Sequence, residues 1–221
     1  MSARPEPTGF LYPFIDSEER DSSDLLAALA SSAQEKIKES RALRAASLAR
    51  CTDVLGLAGA AMASRFRRGG RLFAFGNGGS ATDAEGTAHL FRHPPHGHAL
   101  PALSLVDDRA VLTALANDVG YELVFSRQII AHARPGDIAV GFSTSGDSVN
   151  MLRAFEEAAR QGLLTVGLCG YERAAMARSD AVDHCLVVPS ESVHRIQEAQ
   201  DALMLELWSI IQRHLEEGEV A

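Results

Sequence analysis

The chain is short of cysteine and of positive charge, and it has no long apolar run and no low-complexity tract. Its three cysteines, Cys51, Cys169 and Cys185, stand far apart, with no CxxC and no Cys/His ligand spacing. Neither a disulfide framework nor a structural zinc is therefore indicated. Lys and Arg number 21 against 29 Asp and Glu, a formal charge of −8. An acidic chain lacks the basic face that direct nucleic-acid binding requires. A small anion stays compatible with it, because backbone N–H groups and a helix dipole hold phosphate without net positive charge. No apolar segment reaches the length of a membrane span. Residues 1–7 carry no apolar core of a secretory signal. The expectation is a cytoplasmic protein with no membrane and no direct nucleic-acid partner.

What is present is an ordinary globular composition, 46% apolar and 23% charged over 221 residues. That suits one compact domain with a substantial core. Residues 1–21 read as an N-terminal extension, with three prolines and the aromatic run Gly9–Ile15. So apolar a run is expected to pack on the domain or on a neighbouring subunit. Residues 22–221 read as a single domain, with a helical part at 22–68 and an α/β part at 71–216. Ser22–Arg68 has no proline and only two glycines. Leu26, Leu29, Ala33 and Ile37 repeat at helical spacing. Thr52 or Asp53 is placed to cap a second helix that Gly69-Gly70 ends, with a break somewhere in 41–52.

After Arg71 short apolar runs alternate with helical segments. Leu72–Phe75, Ala102–Leu105, Ile138–Phe142, Thr165–Leu168 and Cys185–Val188 read as strands covered on both faces. Helices are expected near Ala81–Phe91, Ala110–Ala116, Val124–His132, Val149–Gln161, Ala174–Arg178 and Val193–Glu216, with a frayed acidic tail. The fold class is α/β: a three-layer, doubly wound, five-stranded parallel sheet preceded by helices. Ligands in such sheets sit beyond the carboxyl ends of the strands.

Two loops occupy that end. Gly76-Asn-Gly-Gly-Ser80 follows the first strand and opens a helix. Gly78 and Gly79 let backbone approach an anion, the helix start supplies unpaired N–H groups, and Ser80 adds a hydroxyl. The stretch also fits GxGxxA through Gly76, Gly78 and Ala81, so a dinucleotide turn and a ligand-free glycine turn stand as alternatives. The acidic pair Asp107-Asp108 falls later than a dinucleotide site wants. Ser143-Thr-Ser-Gly-Asp-Ser148 follows the third strand and places four hydroxyls around one glycine. Helix capping accounts for one or two of these. A phosphate, whose terminal oxygens need several donors, accounts for all four.

Gly76–Ser80, Ala116–Asp118, Arg134–Asp137, Ser143–Ser148 and Arg195-Ile-Gln-Glu198 occur in this order. Together they resemble the SIS (sugar isomerase) family, in the branch that holds phosphoheptose isomerase and the DnaA initiator-associating protein. The resemblance covers about residues 24–215. It implies the SIS fold and a homotetramer with the N-terminal helices packed between subunits. It implies a small phosphorylated sugar held by Ser80, Ser143, Thr144, Ser145 and Ser148, with Asn77 and Asp108 facing the sugar. A protein partner, as for the replication relative, is a further possibility that it leaves open.

The family's isomerases move a carbonyl between C1 and C2 of sedoheptulose 7-phosphate, using zinc and acid–base residues. The resemblance places these at Gly86, Leu90, Gln197 and Leu205. Only Gln197 is a residue of the expected type, so the implied reading is no zinc cofactor and no metal ligands. Glu85 and His89 share a helical face one residue earlier, which turns them by about 100°. The loop His93-Pro-Pro-His-Gly-His98 adds imidazoles, which read as exposed. His194 and Glu198 flank the last motif and, with Glu85 and His89, are the candidate catalytic residues. The expected function is sugar-phosphate binding without the standard chemistry. The alternative is an aldose–ketose sugar-phosphate isomerase with a rearranged site. Trp208 reads as core or interface, and Cys169 as buried.

Overall fold

The computed structural model describes residues 23–219. The extension expected at 1–21, with its aromatic run, lies outside the described residues. The helical part forms α1 (Ser23–Arg50) and α2 (Thr52–Arg67). Thr52 does not cap α2. Its hydroxyl donates back to the carbonyls of Leu48 and Ala49 at 3.1 and 3.0 Å. The backbone ladder continues through the junction, Cys51 N–H to Ser47 and Leu55 N–H to Cys51. There is no free helix start there to cap. At the far end of α2 the N–H groups of Arg68, Gly69 and Gly70 close onto the last turn, with Gly69 at φ +80°.

The chain divides at residue 41 into two units. In the first, α1 exposes Leu26, Leu29 and Ile37 at 62%, 57% and 57%. The second, 42–221, holds the sheet.

Five strands match the expected runs to within a residue or two: β1 (Leu72–Gly76), β2 (Ala102–Ser104), β3 (Ile138–Phe142), β4 (Leu164–Cys169) and β5 (His184–Val187). Between them run α3 (Gly79–Arg92), α4 (Arg109–Asp118), α5 (Val124–His132) and α6 (Val149–Arg160), and α7 (Val193–Glu219) closes the chain. Two expectations fail at the ends. Ala174–Arg178 makes only a single 3-10 turn, at Met176–Arg178, too short for a helix. The acidic tail is not frayed, because α7 runs through Glu219.

All pairings are parallel, in the order β2-β1-β3-β4-β5. Side chains alternate between two apolar layers. Leu72 and Ala74 face a layer with Met62, Phe91, Leu203 and Trp208 from α2, α3 and α7. Phe73 and Phe75 face Phe125, Ile129 and Phe155 from α5 and α6. Trp208 is thus core, 2% exposed.

The amino ends of the strands are tied by Asp137, which is 1% exposed. Its carboxylate accepts from the backbone N–H of Arg71 (2.8 Å) and Arg134 (3.0 Å) and from the Arg71 guanidinium (2.9 Å). The Arg134–Asp137 motif is therefore a structural clamp between the starts of β1 and β3. Asp137→Ala leaves three part-buried donors without their acceptor, and unfolding in urea is expected to show a loss of about 2 kcal/mol.

Candidate functional site

The chain turns back between β1 and β3. It leaves β1 toward β2 on one side and returns to place β3 on the other. Gly76 pairs with Phe142 in the register, so the loops 76–80 and 143–148 emerge side by side at the topological switch point.

The first loop enters α3 through Gly78, at φ +59°, and Gly79. No side chain caps this helix start. A Cβ on Gly79 would stand 2.3 Å from Nε2 of Gln197, so glycine is what lets α7 lay Gln197 over the opening of α3. Ser80 is buried at 4%. In the second loop the Ser143 hydroxyl accepts from Gly146 N–H (2.9 Å) and the Ser145 hydroxyl from Asp147 N–H (3.3 Å). A hydroxyl that accepts within its loop still has its own proton to donate outward. Ser148 precedes α6 but its side chain makes no capping bond. Helix capping thus leaves the hydroxyls of this loop available.

Two predicted sugar-facing residues have defined partners. Asn77 and Asn150 exchange amide hydrogen bonds at 2.9 Å, and the Tyr121 hydroxyl donates to Asn77 Oδ1 at 2.9 Å. Asn150 and Tyr121 thus belong with the site. They were not visible as such in the sequence, because they come from distant segments with no motif between them. Asp108 is exposed and caps α4, its Oδ1 accepting from Val111 N–H at 3.0 Å.

Beside the loops, α3 and α7 enclose a groove of about 360 Å³ lined by Asp83, Gly86, Leu90, Asp201 and Leu205 among others. Gly86, Leu90 and Leu205 stand together there. A Cβ on Gly86 would meet nothing within 4 Å. Glu85 and His89 do not line this groove, and His89 stacks near His93 with ring centroids 5.0 Å apart. In the 93–98 loop His96 and His93 are exposed, His96 lies 5.0 Å from the Trp208 ring, and the backbone at His98 is pinned by Gln212. His194 is exposed at the start of α7. Glu198 forms an ion pair with Arg195. Among the described residues no three His, Cys, Asp or Glu side chains converge as metal ligands.

The groove instead holds two carboxylates that no motif singled out. Asp83 lies 3.5 Å from Gln197 Nε2. Burial, and then the charge of Asp201, push its pKa up to about 6, while the Gln197 hydrogen bond opposes the shift. Asp201 is also raised, by burial and then by Glu198. Their significance depends on α3 and α7 meeting, which spacing within either helix does not reveal.

A SIS-domain family model matches residues 25–170. The phosphoheptose isomerase of Roseiflexus sp. is 45% identical over 152 residues, 68% of this chain and 76% of that protein. That of Solidesulfovibrio magneticus is 37% identical over 188 residues, 82% of this chain and 89% of that one. Among solved structures, phosphoheptose isomerase GmhA from Neisseria gonorrhoeae superposes with a TM-score of 0.76 at 31% identity, covering 83% of this chain and 99% of that chain.

Asp83 supplies a test of the groove. Its folded pKa lies above its unfolded value, so the charged carboxylate costs stability above about pH 6 and the cost fades as pH falls through the folded pKa toward 3.8. Asp83→Asn is expected to raise Tm at pH 8 by about 2–4 °C, equivalent to ~1 kcal/mol for a chain of this size. The gain should vanish by about pH 4, where wild type is protonated as well. Thermal melts across that range check it, and a pH-independent difference would remove Asp83 from the role.

Proposed function

This chain belongs to the SIS-domain family, and on that premise we propose that it binds a small phosphorylated sugar, phosphate first, on the paired loops Gly76–Ser80 and Ser143–Ser148. One observation carries the reading. The register Gly76↔Phe142 sets an uncapped helix start and a hydroxyl-rich loop side by side. The α3 start offers N–H groups and dipole, and Ser80, Ser143, Thr144, Ser145 and Ser148 offer hydroxyls. Asn77, held by Asn150 and Tyr121, lies where a sugar would extend from the phosphate, with Gln197 across from it.

In this reading binding is separated from the family's zinc chemistry. Gly86, Leu90 and Leu205 have no atom that ligates a metal or transfers a proton, and Gln197 alone does not hold one. The residues present do not fit the zinc. The protein then acts as a cytoplasmic sugar-phosphate binder. It works as a homo-oligomer of the tetrameric kind, whose subunits would cover the exposed Leu26, Leu29 and Ile37 of α1.

A second reading, a sugar-phosphate isomerase with a rearranged site, is favoured by Asp83. A carboxyl with a pKa near 6 suits proton abstraction beside a carbonyl. Asp83 sits one helical turn, about 6 Å of rise, beyond the start of α3 where the phosphate would bind. Glu198, Glu85, His89 and His194 face that role less well, being ion-paired, outside the groove or exposed. Turnover of an aldose or ketose phosphate that is lost in Asp83→Asn would select this reading over simple binding.

Calorimetry with sedoheptulose 7-phosphate tests the pocket. Ser145→Ala and Ser148→Ala are each expected to weaken binding by about 1–3 kcal/mol, one charge-assisted hydrogen bond. Affinity unchanged in both would move the ligand elsewhere. Restoring donors tests the groove. The combined variant Gly86→His, Leu90→Glu, Leu205→His is expected to bind one zinc or cobalt ion per chain, where wild type binds none. A folded triple variant that shows no cobalt absorption would mean that these positions do not converge.

A further inference from the structure

Cys169 and Cys185 play no part in the pocket chemistry, yet their sulfurs lie 3.7 Å apart. The sequence separates them by a loop, and the sheet reunites them. Gly167 pairs with Cys185, and Cys169 with Val187, so the two cysteines stand diagonally on one face of β4 and β5. The Cys169 sulfur also lies 3.5 Å from the Tyr171 carbonyl. Cys51 is elsewhere. It packs in the layer with α2, and its thiol points to the Val187 carbonyl at 3.7 Å.

Cys169 is buried and forms the floor of the second loop. A Cβ on Gly146 would stand 2.9 Å from the Cys169 Cβ, and Gly170 N–H donates to Thr144 O at 3.0 Å. Cys185 is half-buried and lines a cavity of about 490 Å³ at the edge of the sheet, together with Arg50, Cys51, Glu172 and Val187. One sulfur of the pair can therefore be reached from outside while the other touches the loop.

We propose that Cys169 and Cys185 are an oxidation site, converted by a peroxide to a disulfide that loosens the loop Ser143–Ser148. In the first step the Cys185 sulfur attacks one peroxide oxygen. The O–O bond breaks, the thiol proton leaves with the departing hydroxide as water, and a sulfenic acid forms. In the second, the Cys169 sulfur attacks the Cys185 sulfur. The S–O bond breaks, the S–S bond forms, and the hydroxyl leaves as a second water with the Cys169 proton. Both sulfurs are oxidised and the peroxide is reduced to two waters. The hydrogen bond with Cys185 lowers the Cys169 thiol pKa and pushes Cys185 up. Access through the cavity, and not acidity, therefore makes Cys185 the sulfur that meets the peroxide first, and Cys169 is the better nucleophile for the second step.

A disulfide needs its sulfurs at about 2.05 Å and its Cα atoms within ~7 Å. Diagonal neighbours on a sheet stand about 7–8 Å apart, at or past that limit, so the bond does not close without backbone movement. Closing the bond therefore shifts the end of β4. Cys169 moves relative to Gly146, and the hydroxyls of the loop lose their alignment. The bridge itself does not depend on what the loop binds. The effect on binding rests on its proposed role as a phosphate site.

The full chain is exposed to hydrogen peroxide, alkylated with iodoacetamide and digested with trypsin. The expected product is a reducible cross-link between the peptides 161–173 and 179–195, in wild type and in Cys51→Ser. It should be missing from Cys185→Ser. Full alkylation of Cys169 and Cys185 after treatment, or a bridge through Cys51, overturns the site. Binding of inorganic phosphate is measured before and after treatment. It is expected to weaken about tenfold, one charge-assisted hydrogen bond, in wild type and Cys51→Ser and not in Cys185→Ser. Equal affinities overturn the link to the loop. If reduced protein binds no phosphate, the pocket reading fails while the cross-link still decides the oxidation site.

Discussion

The parallel pairing of β1 with β3 is the constraint on which the site depends. These strands are far apart in sequence and adjacent in the sheet, aligned from Leu72↔Ile138 to Gly76↔Phe142. At their amino ends Asp137 binds the starts of both strands through Arg71 and Arg134. At their carboxyl ends the same alignment sets Asn77 and Ser143 as the first residues past the sheet. A one-residue slip would turn every side chain of a strand to the opposite face. Here both faces are packed, with Ala74 and Phe75 in different layers, so the register is specified from both sides. The clamp at one end and the layers on both faces thus fix where the two loops meet.

The third wall comes from α7. Gln200, fully buried, donates to the Ser143 carbonyl at 3.3 Å, and Gln197 rests on Gly79. One helix therefore touches both loops, one through each glutamine. The core residue Trp208, three turns along the same helix, anchors it. This is why the motif at Arg195–Glu198 belongs with two loops over fifty residues earlier. It braces them.

Strands and helices were legible because their signals are local. The runs Ile138–Phe142 and Val124–His132 are found with the expected bounds. The two loops were legible because glycines and hydroxyls at strand-to-helix junctions have a short-range reason to be there. What stayed hidden depends on contacts across the fold. Asn150 and Tyr121 matter because they reach Asn77. Asp83 matters because Asp201 and Gln197 approach it from another helix. Thr52 misled because a cap signature says nothing of whether the preceding helix ends. Its hydroxyl serves that helix instead.

The contrast between Gly79 and Gly86 states the logic of the site within one helix. Both are on α3, two turns apart. At Gly79 a side chain would collide with Gln197, so the glycine preserves the contact between α7 and the loop 76–80. At Gly86 a Cβ would meet nothing within 4 Å, so packing against this chain gives no reason for the lack of one. An interior helix glycine without a packing role costs about 0.5–1 kcal/mol relative to alanine. The two loops rest largely on the register of the sheet, which substitutions in the groove at Gly86, Leu90 and Leu205 leave in place. The character of the groove rests on single side chains. A fold built this way can change what stands in the groove while the paired loops, held by β1, β3 and the glutamines of α7, keep their geometry.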